Sequence, residues 1–117
     1  MTENSRSRAV REEKVFLVFI PHEANLPALN GKKVGDWVVE PGSKPAYPGQ
    51  TITWKTVPDA ELQLFLPEVF EEVQQSERGE ASARVKNDAK SGLYMYEAYC
   101  DGQLATGGSS PKVIIDP

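Results

Sequence analysis

Apolar residues in this chain come in short runs separated by turn-forming residues, and most of the runs alternate with period two. Lys14 to Ile20 is a continuous apolar stretch rich in β-branched and aromatic side chains, stopped by Pro21, and reads as a buried strand. Asp36 to Glu40 reads as a second, shorter strand. From Gln50 to Thr56 the chain alternates, with Ile52 and Trp54 on one face and Thr51, Thr53 and Lys55 on the other, the period of a half-buried strand. Glu61 to Leu66 repeats that pattern, Leu62, Leu64 and Leu66 pointing one way and Phe65 the other. Ala81 to Val85, Leu93 to Cys100 and Lys112 to Asp116 complete a set of seven. Pro67 to Gln75 departs from the pattern. It opens on proline, carries early acids and spaces Val69, Phe70 and Val73 at helical offsets, so it predicts one short helical segment.

The connections have their own chemistry. Pro21 to Lys33 lacks a period and reads as a long connection, and Pro41 to Gly49, dense in proline and glycine, reads as loop and turn. Asn87 to Gly92, Asp101-Gly102 and the stretch through Gly107-Gly108-Ser109-Ser110-Pro111 are further turns. Seven short strands joined this way predict an all-β fold, a single antiparallel β-sandwich. With 117 residues there is room for one domain, expected over 14–117, while 1–13 reads as a flexible charged tail.

Composition narrows the function. The chain is 39% hydrophobic and 26% charged, with no run of about 20 apolar residues, so neither a disordered chain nor a membrane-spanning helix fits. A net charge of −4 disfavours nucleic acid, whose phosphates call for clustered Lys and Arg. The lone Cys100 cannot close an intramolecular disulfide, and Met1 to Lys14 lacks the apolar run of a secretory signal. A cytoplasmic location is the expectation.

Tyr47-Pro48-Gly49-Gln50-Thr51-Ile52-Thr53-Trp54 resembles the "PGxxVxW" strand of the cupredoxins, the blue-copper family. Glu77 to Val85, then Gly92 to Tyr96, then Cys100, a glycine-bearing loop and Lys112 to Asp116 follow the order of that family's last three strands. The resemblance spans Val39 to Asp116 and implies a Greek-key β-sandwich. An immunoglobulin-like sandwich is the alternative, because Asn87 to Tyr96 is similar to a tyrosine corner.

A blue-copper site needs two His nitrogens, a Cys thiolate and a weak axial group such as Met. By the resemblance, the first His position falls on Leu62, beside Gln63, and the Cys on Cys100. The second His position lies nearest Gln103, and the axial Met position near Gly108, with neither Met1 nor Met95 in that loop. One ligand of four remains, so no cofactor is expected. The alternative is a non-standard metal or electron-transfer site using Cys100, Gln103 and His22, the only histidine. A thiol enzyme pairing Cys100 with His22 ranks below both.

The ordinary readings account for most of the remaining candidates. Cys100 reads as a small core residue with no cationic sequence neighbour to lower its pKa, and Trp37 and Trp54 read as core anchors. Ser109 and Ser110 have no base, and the glycine loop lacks the Gly-Lys-Ser/Thr of a phosphate loop. No enzyme is expected. The strongest remaining hint is charge: Glu61, Glu68, Glu71, Glu72, Glu77 and Glu80 face only Arg78, a net of −5 over that segment. Such a surface can steer a basic protein partner, with Phe65, Val69, Phe70 and Val73 nearby as an apolar centre. The partner-binding expectation is therefore Glu68, Phe70, Glu71, Glu72, Glu77 and Glu80.

Overall fold

Alternation along the strands sets which side chains meet, and the pairing register shows how. A computed structural model describes residues 13–22, 35–75, 78–106 and 110–116. The strands are β1 (Glu13–Pro21), β2 (Gly35–Glu40), β3 (Ser43–Ala46), β4 (Thr51–Val57), β5 (Leu62–Phe65), β6 (Phe70–Gln75), β7 (Glu80–Val85), β8 (Gly92–Met95), β9 (Glu97–Cys100), β10 (Gln103–Leu104) and β11 (Lys112–Ile115). A five-stranded sheet runs β2-β1-β4-β7-β6, and two three-stranded sheets run β10-β9-β5 and β3-β11-β8. Among the described residues there is no helix.

The core follows the register. Val15, Trp54 and Ala81 lie side by side across β1, β4 and β7, and all three are buried, the small Ala81 leaving room for the indole. Trp54 packs edge-on against Phe70 and Tyr96, with ring centroids 5.7 and 5.6 Å away. Its indole Nε1–H donates to the Tyr96 hydroxyl at 3.1 Å. That one bond satisfies a buried donor where five-stranded sheet meets the β8–β9 junction. Burial pushes the Tyr96 phenol up to about 12, against the opposing pull of the Trp54 bond. The motif Tyr47 to Gln50 is a turn closed by Gln50 N–H donating to the Tyr47 carbonyl at 3.1 Å, with Pro48 and Gly49 (φ 86°) at its centre as a type II turn requires.

Several expectations need correction. The sandwich is not wholly antiparallel: β1 pairs parallel with β4 and β3 parallel with β11, so its sheets are mixed. The segment Pro67 to Gln75 is a turn followed by β6, because Phe70 is drawn under Trp54 and the strand pairs with β7 on both sides of a bulge between Glu71 and Gln74. Ser43 to Ala46, expected as loop, is edge strand β3. Gly42 and Ala46 offer their carbonyls to Lys112 and Asp116 N–H, so Pro45, one residue out of phase, turns its nitrogen to the outer edge, where no hydrogen bond is asked of it.

Leu93 to Cys100 is two strands, since the chain changes sheets at buried Tyr96. The run Lys14 to Ile20 is only half buried, with Val15 and Leu17 inside and Phe16 and Ile20 exposed. Glu13 is not tail but the first residue of β1, its carboxylate 2.7 Å from Lys44 Nζ on β3. Residues 1–12, most of the Pro21 to Lys33 connection, Glu77 and the loop residues Gly107 to Ser109 lie outside the described residues. The Tyr94 hydroxyl donates to the Lys90 carbonyl at 2.8 Å, and the immunoglobulin-like alternative rests on that turn alone.

Candidate functional site

Asp101-Gly102 is a two-residue hairpin turn between β9 and β10, both residues at positive φ, and it sets Gln103 directly opposite Cys100. The turn is locked to β5 from the side. Asp101 N–H donates to the Glu61 carbonyl and the Asp101 carboxylate accepts from Glu61 N–H, each at 2.8 Å. Next along, β5 pairs with β9 so that Leu62 faces Cys100. Leu62, Cys100 and Gln103 thus occupy one rung across three strands, the positions that the resemblance assigns to the first His, the Cys and the neighbourhood of the second His.

The chemistry of that rung does not fit a blue-copper ion. Leu62 is buried and has no donor atom, so the place facing the thiol is filled by hydrocarbon. Cys100 is fully buried, and burial, aided by the Asp101 carboxylate, pushes its thiol from 9.0 up to about 12, away from the thiolate a metal needs. The Gln103 amide donates to the Gly35 carbonyl at 2.9 Å. Gly108 lies outside the described residues. His22 Nε2 is 2.9 Å from Asp36 Oδ2 on the exposed end of β2, next to Gly35. Gln103 and His22 therefore approach the same end of β2, but each is held by its own hydrogen bond. Among the described residues no three His, Cys, Asp or Glu side chains gather as a metal group.

One consequence is measurable. With its thiol near 12, Cys100 holds about a thousandfold less thiolate at neutral pH than a free cysteine at 9.0. A small thiol reagent is expected to label the native protein far more slowly than the denatured chain, because burial limits both access and thiolate. Equal rates in the two states would show an accessible thiol.

The acidic segment changes most between sequence and structure. Glu71 and Glu72 are met by Arg84 on β7, 2.6 Å from Glu71 and 3.4 Å from Glu72, because β6 and β7 pair Glu71 with Arg84. Glu68, Glu72 and Glu80 are exposed, whereas Glu71 is only partly so. Phe70 is corrected from surface to core, and Val69 goes with it. Phe65 and Val73 are the exposed apolar residues of the group. The sequence count missed Arg84 because the base sits outside the segment and reaches it only through strand pairing. It also missed the alternation within Gly92 to Met95, where Leu93 and Met95 face outward.

The segments that carry the resemblance to the cupredoxins fall, in the same order, on β4, β7, β8, β9 and β11 of an all-β fold. Similar solved structures include a pseudoazurin from Sinorhizobium meliloti, 21% identical with a TM-score of 0.46 over 91% of this chain and 75% of that one. A purple cupredoxin from Nitrosopumilus maritimus is 13% identical with a TM-score of 0.45, over 89% of this chain and 99% of that one. Both are likenesses in the course of the chain and bring no ligand or activity to it. No family model and no curated protein matches the sequence.

Proposed function

We propose that this chain is a non-enzymatic, cupredoxin-like accessory or protein-interaction domain without a blue-copper centre. The observation that carries the reading is the rung itself: buried Leu62 faces buried Cys100 where a metal site would need an imidazole. A cupredoxin-like frame whose ligand position is packed with hydrocarbon serves as a scaffold, and its exposed surface becomes the working part. On that surface the acids Glu68, Glu72 and Glu80 favour a basic protein partner, while Arg84 tempers Glu71 and Glu72.

The test uses a partner recovered with the full chain. Its association rate is expected to fall with added salt and with Glu68→Lys and Glu72→Lys together, because exposed charges act chiefly on encounter. Those substitutions should leave folding stability within about 1 kcal/mol, the usual scale for exposed charges. Association indifferent to salt and to both reversals would remove the acidic segment from the interface.

A further inference from the structure

The second layer of the sandwich is divided, and the division opens a pocket. The chain leaves β8 at Tyr96 and enters β9 at Glu97, so the sheets β3-β11-β8 and β10-β9-β5 share no strand. β10 accompanies β9 for two residues, Gln103 opposite Cys100 and Leu104 opposite Tyr99. Ala105 N–H still donates to the Ala98 carbonyl at 2.8 Å, but the chain then turns to the other layer, where Thr106 N–H donates to the Trp37 carbonyl at 2.9 Å. Across the seam Pro111 leads into β11, its carbonyl accepting from Tyr96 N–H at 3.1 Å. Phe65 on β5 pairs with one side of Glu97, and on the β10 side among the described residues no strand does.

The space left there is a pocket of about 340 Å³. Tyr96 and Pro111, both buried, and the exposed Leu104 give it hydrocarbon walls. The Tyr96 hydroxyl is already committed to Trp54 in the core. The other polar side chains of the lining are Glu97, Thr106 and Ser110, all exposed. Each offers oxygen and none offers nitrogen, and Glu97 is the one charge among the lining residues. Glu97 is in no ion pair among the described residues.

Those groups select the occupant by chemistry. An anion would meet the carboxylate with no lining cation to offset it, and a plain hydrocarbon would cover the carboxylate without pairing it. A cation rich in N–H donors on an aliphatic stem satisfies both the oxygens and the walls. A guanidinium does so better than an ammonium, because it is planar, weakly hydrated and spreads five donors over several acceptors. The volume suits one long side chain rather than a folded segment.

We infer that this pocket receives one arginine side chain of a protein partner, its guanidinium on Glu97, Thr106 and Ser110 and its stem against Leu104, Tyr96 and Pro111. The inference rests on the protein-interaction reading above and gives the basic partner an anchoring residue.

The test is a titration of the isotope-labelled full chain with N-acetyl-L-arginine amide, followed by amide resonances in NMR. Saturable shifts are expected at Glu97, Leu104, Thr106 and Ser110. N-acetyl-L-citrulline amide, which keeps the shape and loses the charge, should give none, and N-acetyl-L-lysine amide should bind more weakly. Glu97→Gln, at an exposed position, should weaken the arginine compound about tenfold or more with the remaining resonances unmoved. Glu68→Lys with Glu72→Lys should leave this affinity unchanged, so the pocket and the acidic segment fail or hold separately. No saturable shift, equal binding of the citrulline or lysine compound, or indifference to Glu97→Gln would overturn the inference.

Discussion

Trp54→Ala is expected to destabilise the fold by about 3–5 kcal/mol, a large part of the ~5–15 kcal/mol that holds a domain together. Trp54 is fully buried, touches Phe70 and Tyr96 edge-on, and is one of the largest side chains sealed from solvent. Removing the indole leaves a cavity between the β-layers and an unpartnered Tyr96 hydroxyl. Urea unfolding reads the loss as a lower midpoint. Tyr96→Phe isolates the polar part: the Trp54 N–H is left buried without its acceptor, at a cost of about 1–3 kcal/mol. In the double variant Trp54→Phe/Tyr96→Phe both polar groups are gone, so its cost should fall below the sum of the single ones. Strict additivity would show that the bond contributes nothing.

Gly79→Ala is expected to cost about 2–5 kcal/mol, from a left-handed backbone and an occupied space together. Gly79 is buried between β6 and β7 at φ 72°, and its carbonyl accepts from Thr56 N–H at 2.9 Å. A Cβ there would run into the Thr56 hydroxyl and lie 2.6 Å from the Ala60 carbonyl. Thr56 cannot simply move aside, because its Oγ1 accepts from Ala60 N–H at 3.0 Å and the residue is 1% exposed. Gly102 is a built-in control: it too has positive φ, 81°, but nothing lies within 4 Å of its added Cβ, so Gly102→Ala should cost only the backbone part. Equal losses in the two variants, compared by urea unfolding, would refute the packing account of Gly79.

The strands with regular alternation were legible because burial and period coincide. Ile52 and Trp54 on β4 and Leu62 on β5 point inward as the pattern predicts. The failures share a cause, which is that pairing partners distant in sequence decide the outcome. Ser43 to Ala46 has no strand pattern, yet β11 recruits it through backbone bonds. Val69, Phe70 and Val73 have helical spacing, but Trp54 captures Phe70 and the bulge at Glu71 resets the period. At the site, the resemblance assigned Leu62, Cys100 and Gln103 without saying that they would share a rung. Register supplied that, along with the ion pairs from Arg84 that a linear charge count omits.

Adding stoichiometric copper(II) to the purified chain and recording its visible spectrum tests the proposed absence of a blue-copper centre. With Leu62 opposite a sealed Cys100, no intense thiolate-to-copper charge-transfer band should appear. A strong visible band that Cys100→Ser abolishes would contradict the account.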